Sequence, residues 1–166
     1  MPELTLVPQP LTRERFAPYG DVVETSGERS NVMNDLRFER FHDLCKIDFD
    51  KGGRPCISIA RCKSASALPY RIDIVERHPL GSQAFVPLTP FQMMVVVAPP
   101  LASVEASDLV AFVTNGRQGI NYHRGTWHMP LIAFEEGQQF LIVDYTGDEA
   151  NCDVHSLDEV VTLLEA

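Results

Sequence analysis

The stretch YRIDIVERH, residues 70–78, decides the fold of this chain, because its side chains alternate as they do in a β-strand. The even positions from Tyr70 to Ile74 are apolar, and Glu76 and His78 continue the same row. An apolar row that ends in a carboxylate and an imidazole is typical of an inward face that opens on a cavity. The sequence therefore predicts a β-barrel with Glu76 and His78 at its mouth.

Short strand-like segments recur on both sides of this stretch, separated by turn signals such as Asn115-Gly116. The further predicted strands are residues 4–7, 21–25, 56–62, 84–88, 92–98, 108–114, 119–122, 126–134 and 139–145. A helical turn is predicted over 12–18, and residues 26–34 are predicted to form a polar surface loop. Ser156 and Glu159 make a capping-box pattern before apolar residues, which predicts a C-terminal amphipathic helix.

Many short strands, with helices only near the two ends, indicate an all-β fold. The prediction is a double-stranded β-helix, or jelly-roll barrel, with short peripheral helices near the N- and C-termini. A parallel α/β sheet would need crossover helices, and the middle of the chain predicts none. The length fits one domain, so we expect a single domain over residues 1–166.

The composition argues against several classes of function. The formal net charge is −9 and the arginines are scattered, so a nucleic-acid partner is not expected. No apolar run approaches the roughly 20 residues that span a bilayer, and the N-terminal residues lack signal-peptide features. Cys45, Cys56, Cys62 and Cys152 form no CxxC pair, which predicts free, buried thiols in a reducing cytoplasm rather than structural zinc.

A second segment, NGRQGINYHRGTWHMPL at residues 115–131, also carries side chains suited to a small-molecule site. In a regular strand Tyr122 and Arg124 point to the face opposite His123, so both sets cannot line one cavity. A bulge at the following glycine would re-aim His128. We therefore favour His128 over His123 as the functional histidine.

The spacing of four residues resembles the metal motifs of cupin barrels. Cupins carry His-x-His-x3–4-Glu and later a single His after a Pro/Gly turn. Here Glu76, His78 and Gln83 stand in the first motif and His128 in the second, so Glu and Gln replace two of the four usual ligand types. If a divalent metal binds, these four residues are its candidate ligands, with Gln the weakest.

Two longer signatures are similar to those of the ureidoglycolate lyase family, once called ureidoglycolate hydrolases. They are residues 76–87 (ERHPLGSQAFVP) and 115–131, with weaker echoes at 16–22, 40–44 and 151–154. The resemblance implies a cupin-like domain that cleaves (S)-ureidoglycolate to glyoxylate and urea in allantoin and purine catabolism. It also implies a possible divalent metal, nickel in some members, and no organic cofactor.

The implied reaction assigns roles to the candidate residues. The substrate carbon bears a hydroxyl, a carboxylate and a urea nitrogen, so cleavage needs a base on the hydroxyl and a proton on the departing nitrogen. The candidate catalytic residues are His128, His78 and Glu76. The substrate carboxylate and ureido group need cationic or donor partners, since burying them unpaired is costly. The candidate substrate-binding residues are Gln83, Tyr122, Arg124 and Arg61.

Two alternatives stay open. One is an amidohydrolase that releases ammonia and carbon dioxide from the same substrate, although the sequence shows no clear two-metal cluster. The other is a non-catalytic cupin that binds a small acid. By analogy with cupin-type barrels we expect a homodimer. Asp144 shares the inward parity of Phe140 and Ile142 and is a minor candidate to orient a histidine.

Overall fold

The structure is a computed structural model that describes residues 3–27 and 30–166, and its regular structure is almost entirely β. The strands are β1 (Glu3–Leu6), β2 (Gln9–Pro10), β3 (Gly20–Val23), β4 (Ser30–Met33), β5 (Phe38–Phe41), β6 (Gly53–Arg61), β7 (Tyr70–Arg77), β8 (Gln83–Pro87), β9 (Met94–Ala98), β10 (Val110–Val113), β11 (Gly119–Tyr122), β12 (Trp127–His128), β13 (Gln139–Gly147) and β14 (Asp153–Leu163). One short helix, α1 (Arg13–Phe16), begins after the N-cap Thr12, whose side chain accepts from the Arg15 N–H. A 3-10 turn covers Ala106–Asp108.

The described strands form two sheets and a separate hairpin. The first sheet has the order β1-β14-β7-β12-β9-β10-β2, the second has the order β3-β11-β8-β13-β6, and β4 pairs only with β5. The strongly β-rich fold, with sheets that curl toward a barrel, confirms the predicted cupin-like all-β class. No helix in the described residues is long and apolar enough to cross a membrane.

Two apolar clusters hold the sheets together. Alternate residues of β9 point to opposite sides, as the pleat requires. Val95 and Val97 join a cluster between the two sheets, together with Phe85 and Phe140 from the second sheet. Val96 joins the other cluster, on the outer face of the first sheet. Each fully buried side chain of this size stabilises the fold by about 1.5–3 kcal/mol.

The alternation predicted along residues 70–78 holds only in part. Ile72 and Val75 are both buried in the outer cluster, whereas Ile74 is 38% exposed. Two residues three positions apart cannot share a face of a regular strand. The irregularity coincides with a register shift of the paired strand β14, between Ser156 and Val161.

The predicted C-terminal helix is wrong, because β14 occupies that part of the chain. This strand pairs in parallel with β1 and antiparallel with β7, so its backbone is hydrogen-bonded on both sides. Val161 and Leu163 are fully buried two positions apart, in the period of a strand. Sheet pairing therefore overrides the local capping-box pattern that begins at Ser156.

Two further predictions are corrected. Part of the loop predicted over 26–34 is β4, which pairs with β5 so that Met33 lies opposite Phe38; residues 28 and 29 of that loop lie outside the described residues. The four cysteines are free, as predicted, but they are not buried. Cys152 is exposed and the other three are partly exposed.

Candidate active site

The two signature segments meet inside the barrel. His128 on β12 pairs directly opposite Glu76 on β7. It also pairs with Val97, whose side chain belongs to the cluster between the sheets, so the His128 ring points into that space. Gln83 opens β8 in the facing sheet, and its side-chain oxygen lies 3.0 Å from His78 Nε2.

Three of these side chains converge on one point. One ligand-type atom from each of Glu76, His78 and His128 lies within 4.8 Å of the others. The two imidazole centroids are 5.1 Å apart. Tyr122 stacks on the His128 ring, with centroids 4.2 Å apart and planes inclined by 12°. The parity argument places Tyr122 and His128 in the same cavity, and the structure brings them into contact.

His128 is arranged to offer a free lone pair. Its ring is buried, with 2% exposure, and Nδ1 lies 3.0 Å from the Thr126 carbonyl oxygen. A carbonyl only accepts, so we assign the ring hydrogen of the neutral imidazole to Nδ1. Burial lowers the pKa of His128, which favours that neutral form. Nε2 is buried without a hydrogen-bond partner among the described residues and is left as a base or a ligand.

Glu76 supplies negative charge beside that lone pair. Its Oε1 lies 3.4 Å from His128 Nε2, without hydrogen-bond geometry, and its Oε2 accepts a weak bond from the Cys152 thiol at 3.7 Å. When Nε2 of His128 carries a proton, its donation to Glu76 lowers the pKa of Glu76 despite partial burial, so this group is a carboxylate near neutral pH. When Nε2 is unprotonated, two electron-rich atoms face each other, an arrangement that suits a proton, a substrate hydroxyl or a cation between them.

His78 is arranged as a donor. Its Nδ1 lies 2.7 Å from the Asn151 carbonyl oxygen, and its Nε2 lies 3.0 Å from Gln83 Oε1. Both neighbours are acceptors, so a ring nitrogen of His78 that bonds its neighbour does so as the donor. Asn151 also fixes the following turn, since its side chain accepts from the Leu80 N–H at 2.7 Å. Sequence reasoning missed this role for Asn151, for which the weak echo at 151–154 was the available signal.

The cluster is compatible with a divalent metal. Two imidazoles and one carboxylate form a donor set that first-row divalent ions accept, and the orphaned Nε2 of His128 would gain a partner. His78 would have to exchange its contact with Gln83 for the ion. Gln83 itself turns its oxygen to His78 rather than into the cluster, so the fit rests on Glu76, His78 and His128.

Arg124 lies next to the cluster. The N–H of the following residue, Gly125, bonds the His78 carbonyl oxygen at 3.0 Å. The Arg124 guanidinium reaches Asp48 at 2.9 Å and Asp50 at 3.8 Å. Its Nε is buried without a hydrogen-bond partner among the described residues. One donor of this cation is therefore left unpaired within the described part of the chain.

Two of the sequence candidates lie elsewhere. Arg61 is five residues along β6 from Cys56, the residue that pairs with Asp144 at the site end of the barrel. At about 3.3 Å per residue this places Arg61 about 17 Å from Cys56 along the strand. The structure therefore does not bring Arg61 to the cluster. His123, the less favoured histidine of the second segment, is 39% exposed, with its Nε2 3.0 Å from Asp21 Oδ1.

A barrel of two facing sheets, with two imidazoles and a carboxylate meeting between them, defines a cupin-like small-molecule enzyme. The family model described as ureidoglycolate lyase matches residues 3–164. A protein named ureidoglycolate lyase from Burkholderia mallei (strain NCTC 10229) is 49% identical, over 97% of this chain and 94% of its own length. Another with that name, from Pseudomonas fluorescens (strain SBW25), is 48% identical over 98% and 97%. The chain belongs to the ureidoglycolate lyase family, which confirms the resemblance seen in the two signatures.

Proposed function

We propose that this protein is a carbon–nitrogen lyase that cleaves (S)-ureidoglycolate to glyoxylate and urea, and that it serves allantoin and purine catabolism. The observation that carries the proposal is the pairing of unlike histidines. His128 offers an unpaired Nε2 lone pair, and His78 faces acceptors from both ring nitrogens. The two rings lie 5.1 Å apart, so one bound carbinolamine can reach both.

The reaction then follows as one proton taken and one given. His128 Nε2 removes the proton of the substrate hydroxyl, the carbonyl of glyoxylate forms, and the C–N bond electrons pass to the urea nitrogen. His78 protonates that nitrogen once it has replaced the Gln83 oxygen at Nε2. The Glu76 carboxylate stabilises the positive charge that His128 gains. Each acid–base step of this kind is worth about 10²–10⁴-fold in rate.

Neighbouring side chains are proposed to hold the substrate. The buried, unpaired Nε–H of Arg124 is the donor for the carboxylate, and a charge-assisted bond of this type is strong. Gln83 would accept from the ureido group once its oxygen has left His78 Nε2. Burial raises the pKa of Tyr122, so this residue stays a neutral phenol against the His128 ring. Arg61 is not proposed to bind the substrate, because it lies at the far end of β6 from Cys56.

If a divalent metal binds, Glu76, His78 and His128 would hold it, with nickel as the ion that the resemblance implies. Such an ion would supply Lewis acidity toward the substrate hydroxyl and carboxylate. It would occupy Nε2 of both histidines, which the proton transfers use, so the metal route and the acid–base route are alternatives that the chelator assay below separates.

Product analysis tests the proposed function. The purified protein, incubated with racemic ureidoglycolate, is expected to release glyoxylate and urea in equal amounts, with no ammonia and with half of the substrate left. Ammonia without urea would mean the amidohydrolase. Binding without any product would mean a non-catalytic acid-binding barrel. A parallel assay with a chelator, followed by added nickel, shows whether turnover needs the ion.

We also propose that the protein is a cytoplasmic homodimer. Four free cysteines are typical of a reducing compartment.

The hairpin formed by β4 and β5 pairs with no other described strand, yet it exposes apolar side chains. These are Val32, Met33, Leu36 and Phe38, with exposures of 59, 41, 85 and 60%. A two-stranded hairpin is marginally stable alone in water, so a second copy of the chain is the proposed cover.

A charged pair on the hairpin is expected to separate the dimer. A stable interface buries about 800 Å² per partner, so the hairpin would supply a large part of it. Sedimentation of the double variant Leu36→Glu, Phe38→Glu should show monomers where the wild type shows dimers. Val7→Glu, at a site that is 61% exposed outside the hairpin, should stay dimeric. A monomeric wild type, or a dimeric double variant, would refute this surface.

A further inference from the structure

A chain of hydrogen bonds runs from β13 to the back of His78, and its direction is fixed. Gln83 Nε2 donates to Asp144 Oδ2 at 3.1 Å, and Gln83 Oε1 lies 3.0 Å from His78 Nε2. A carboxylate can only accept, so the NH₂ end of the Gln83 amide must face Asp144. The oxygen is then the end that Gln83 turns to His78.

The hydrogen bond at the other ring nitrogen of His78, Nδ1, cannot reverse its direction either. Its Nδ1 meets a main-chain carbonyl, that of Asn151, at 2.7 Å. A carbonyl oxygen has no donor form, so the Nδ1 hydrogen is required there. Whether Nε2 faces an acceptor or a donor depends on which end of the Gln83 amide is turned to it. That end is selected by Asp144.

Asp144 is itself held in place without touching the reacting cluster. Its other oxygen, Oδ1, accepts from the Cys56 thiol at 3.2 Å across the β13–β6 pair. Both carboxylate oxygens are thus engaged, each by a donor. The side chain acts on the site through Gln83 alone among the contacts that the structure shows.

We propose that Asp144 is a positioning residue for the lyase reaction: it orients the Gln83 amide so that His78 Nε2 meets an oxygen and stands ready as the donor to the departing urea nitrogen. This inference rests on the proposed function. It goes beyond it by assigning a role to a residue whose hydrogen bonds go to Cys56 and Gln83 and not to the cluster. The role lies in the direction of the hydrogen bonds and not in the charge of Asp144 as such.

Reversing the direction of the hydrogen bond between Gln83 and Asp144 tests the proposal directly. An asparagine side chain has almost the same shape but can donate, so in Asp144→Asn the Gln83 amide is free to turn its NH₂ to His78. We expect kcat to fall at least about tenfold, the lower range of an acid–base contribution, with KM within about threefold. The same fall is expected for Gln83→Met, which removes the acceptor at similar size.

The double variant Asp144→Asn, Gln83→Glu exchanges the donor and the acceptor of the hydrogen bond between positions 144 and 83. An oxygen then faces His78 again. The carboxylate introduced by Gln83→Glu accepts both from the introduced amide and from His78, so kcat should return to within about threefold of wild type. Gln83→Glu alone sets two carboxylates about 3 Å apart and should lower kcat because like charges repel. A purely structural role for Asp144 would lower the unfolding temperature and would not be rescued by Gln83→Glu.

The outcomes separate this inference from the proposed function. Wild-type kcat in Asp144→Asn, or a double variant no better than Asp144→Asn, overturns the positioning role while wild-type urea release still stands. If wild type releases no urea, the proposed function fails first. If Asp144→Asn does not fold, Gln83→Met and the double variant decide: wild-type kcat in Gln83→Met, or no activity in a folded double variant, overturns the inference.

Discussion

His128→Asn is expected to lower kcat for urea release by about a thousandfold or more, while the protein stays folded. The asparagine amide can keep the donor contact to the Thr126 carbonyl that Nδ1 now makes at 3.0 Å. It has no basic lone pair in place of Nε2, so the hydroxyl proton of the substrate has no acceptor. Loss of a general base accounts for about 10²–10⁴-fold. A coupled assay for glyoxylate and urea measures the change, and circular dichroism follows thermal unfolding.

His123→Asn is the matched control for that variant. The replaced ring is 39% exposed and lies beside Asp21, outside the cluster. Its kcat should stay within about twofold of wild type, as is usual for surface changes. Wild-type turnover in His128→Asn would refute the assignment of the base, and an equal loss in both variants would place the base elsewhere in the second signature. His128→Ala is the less informative change, because it also opens a cavity beside Tyr122.

The pH profile adds an independent readout of the same base. Burial lowers the pKa of His128 from its ordinary value of 6.5, and the contact with His128 lowers the pKa of Glu76. Both groups therefore hold their working forms, neutral imidazole and carboxylate, at and above pH 6.5. On the acid side of the profile, kcat/KM should fall only below pH 6.5, where the His128 ring takes up a proton. An acid limb centred above the ordinary value would contradict this placement of the base.

The sequence could predict which segments form the site because the ends of neighbouring strands carry their side chains to a common space. Glu76 and His128 prove to be direct cross-strand partners. The alternation that suggests this is nevertheless broken at Ile74, since a register shift in β14 re-aims the strand. That shift is a property of the partner strand, roughly 80 residues further on, and no local pattern encodes it.

Other parts of the structure depend on long-range pairing in the same way. Ser156 begins a pattern that is a sound helix signal in isolation, and β14 exists because β1 and β7 lie on either side of it. Arg61 is a reasonable anchor by residue type. Its distance from the cluster follows only from the register of β6 on β13. His78 takes its Nδ1 partner from Asn151, which is 73 residues away in the chain.

Arg124→Ala is expected to raise KM by about 10–100-fold with a much smaller effect on kcat. A hydrogen bond from a charged donor contributes about 1.5–3 kcal/mol, which corresponds to that range. The affected contact is to the substrate carboxylate, which does not change during the reaction, so its loss weakens ground state and transition state alike. Michaelis–Menten analysis of urea release separates the two parameters. Burial and the unpaired Nε are the features that distinguish this arginine.

Arg61→Ala removes the same charge from the opposite end of the barrel and is the matched control. Its KM should stay within about twofold of wild type, because this exposed charge lies about 17 Å along β6 from Cys56 and is screened at physiological salt. Equal increases in KM for both variants would mean that the general field, and not a contact, holds the carboxylate. An unchanged KM in Arg124→Ala would mean that Asp48 and Asp50 already use this cation fully. In that case the anchor must be sought at the cluster itself, where a divalent ion would be the remaining cation.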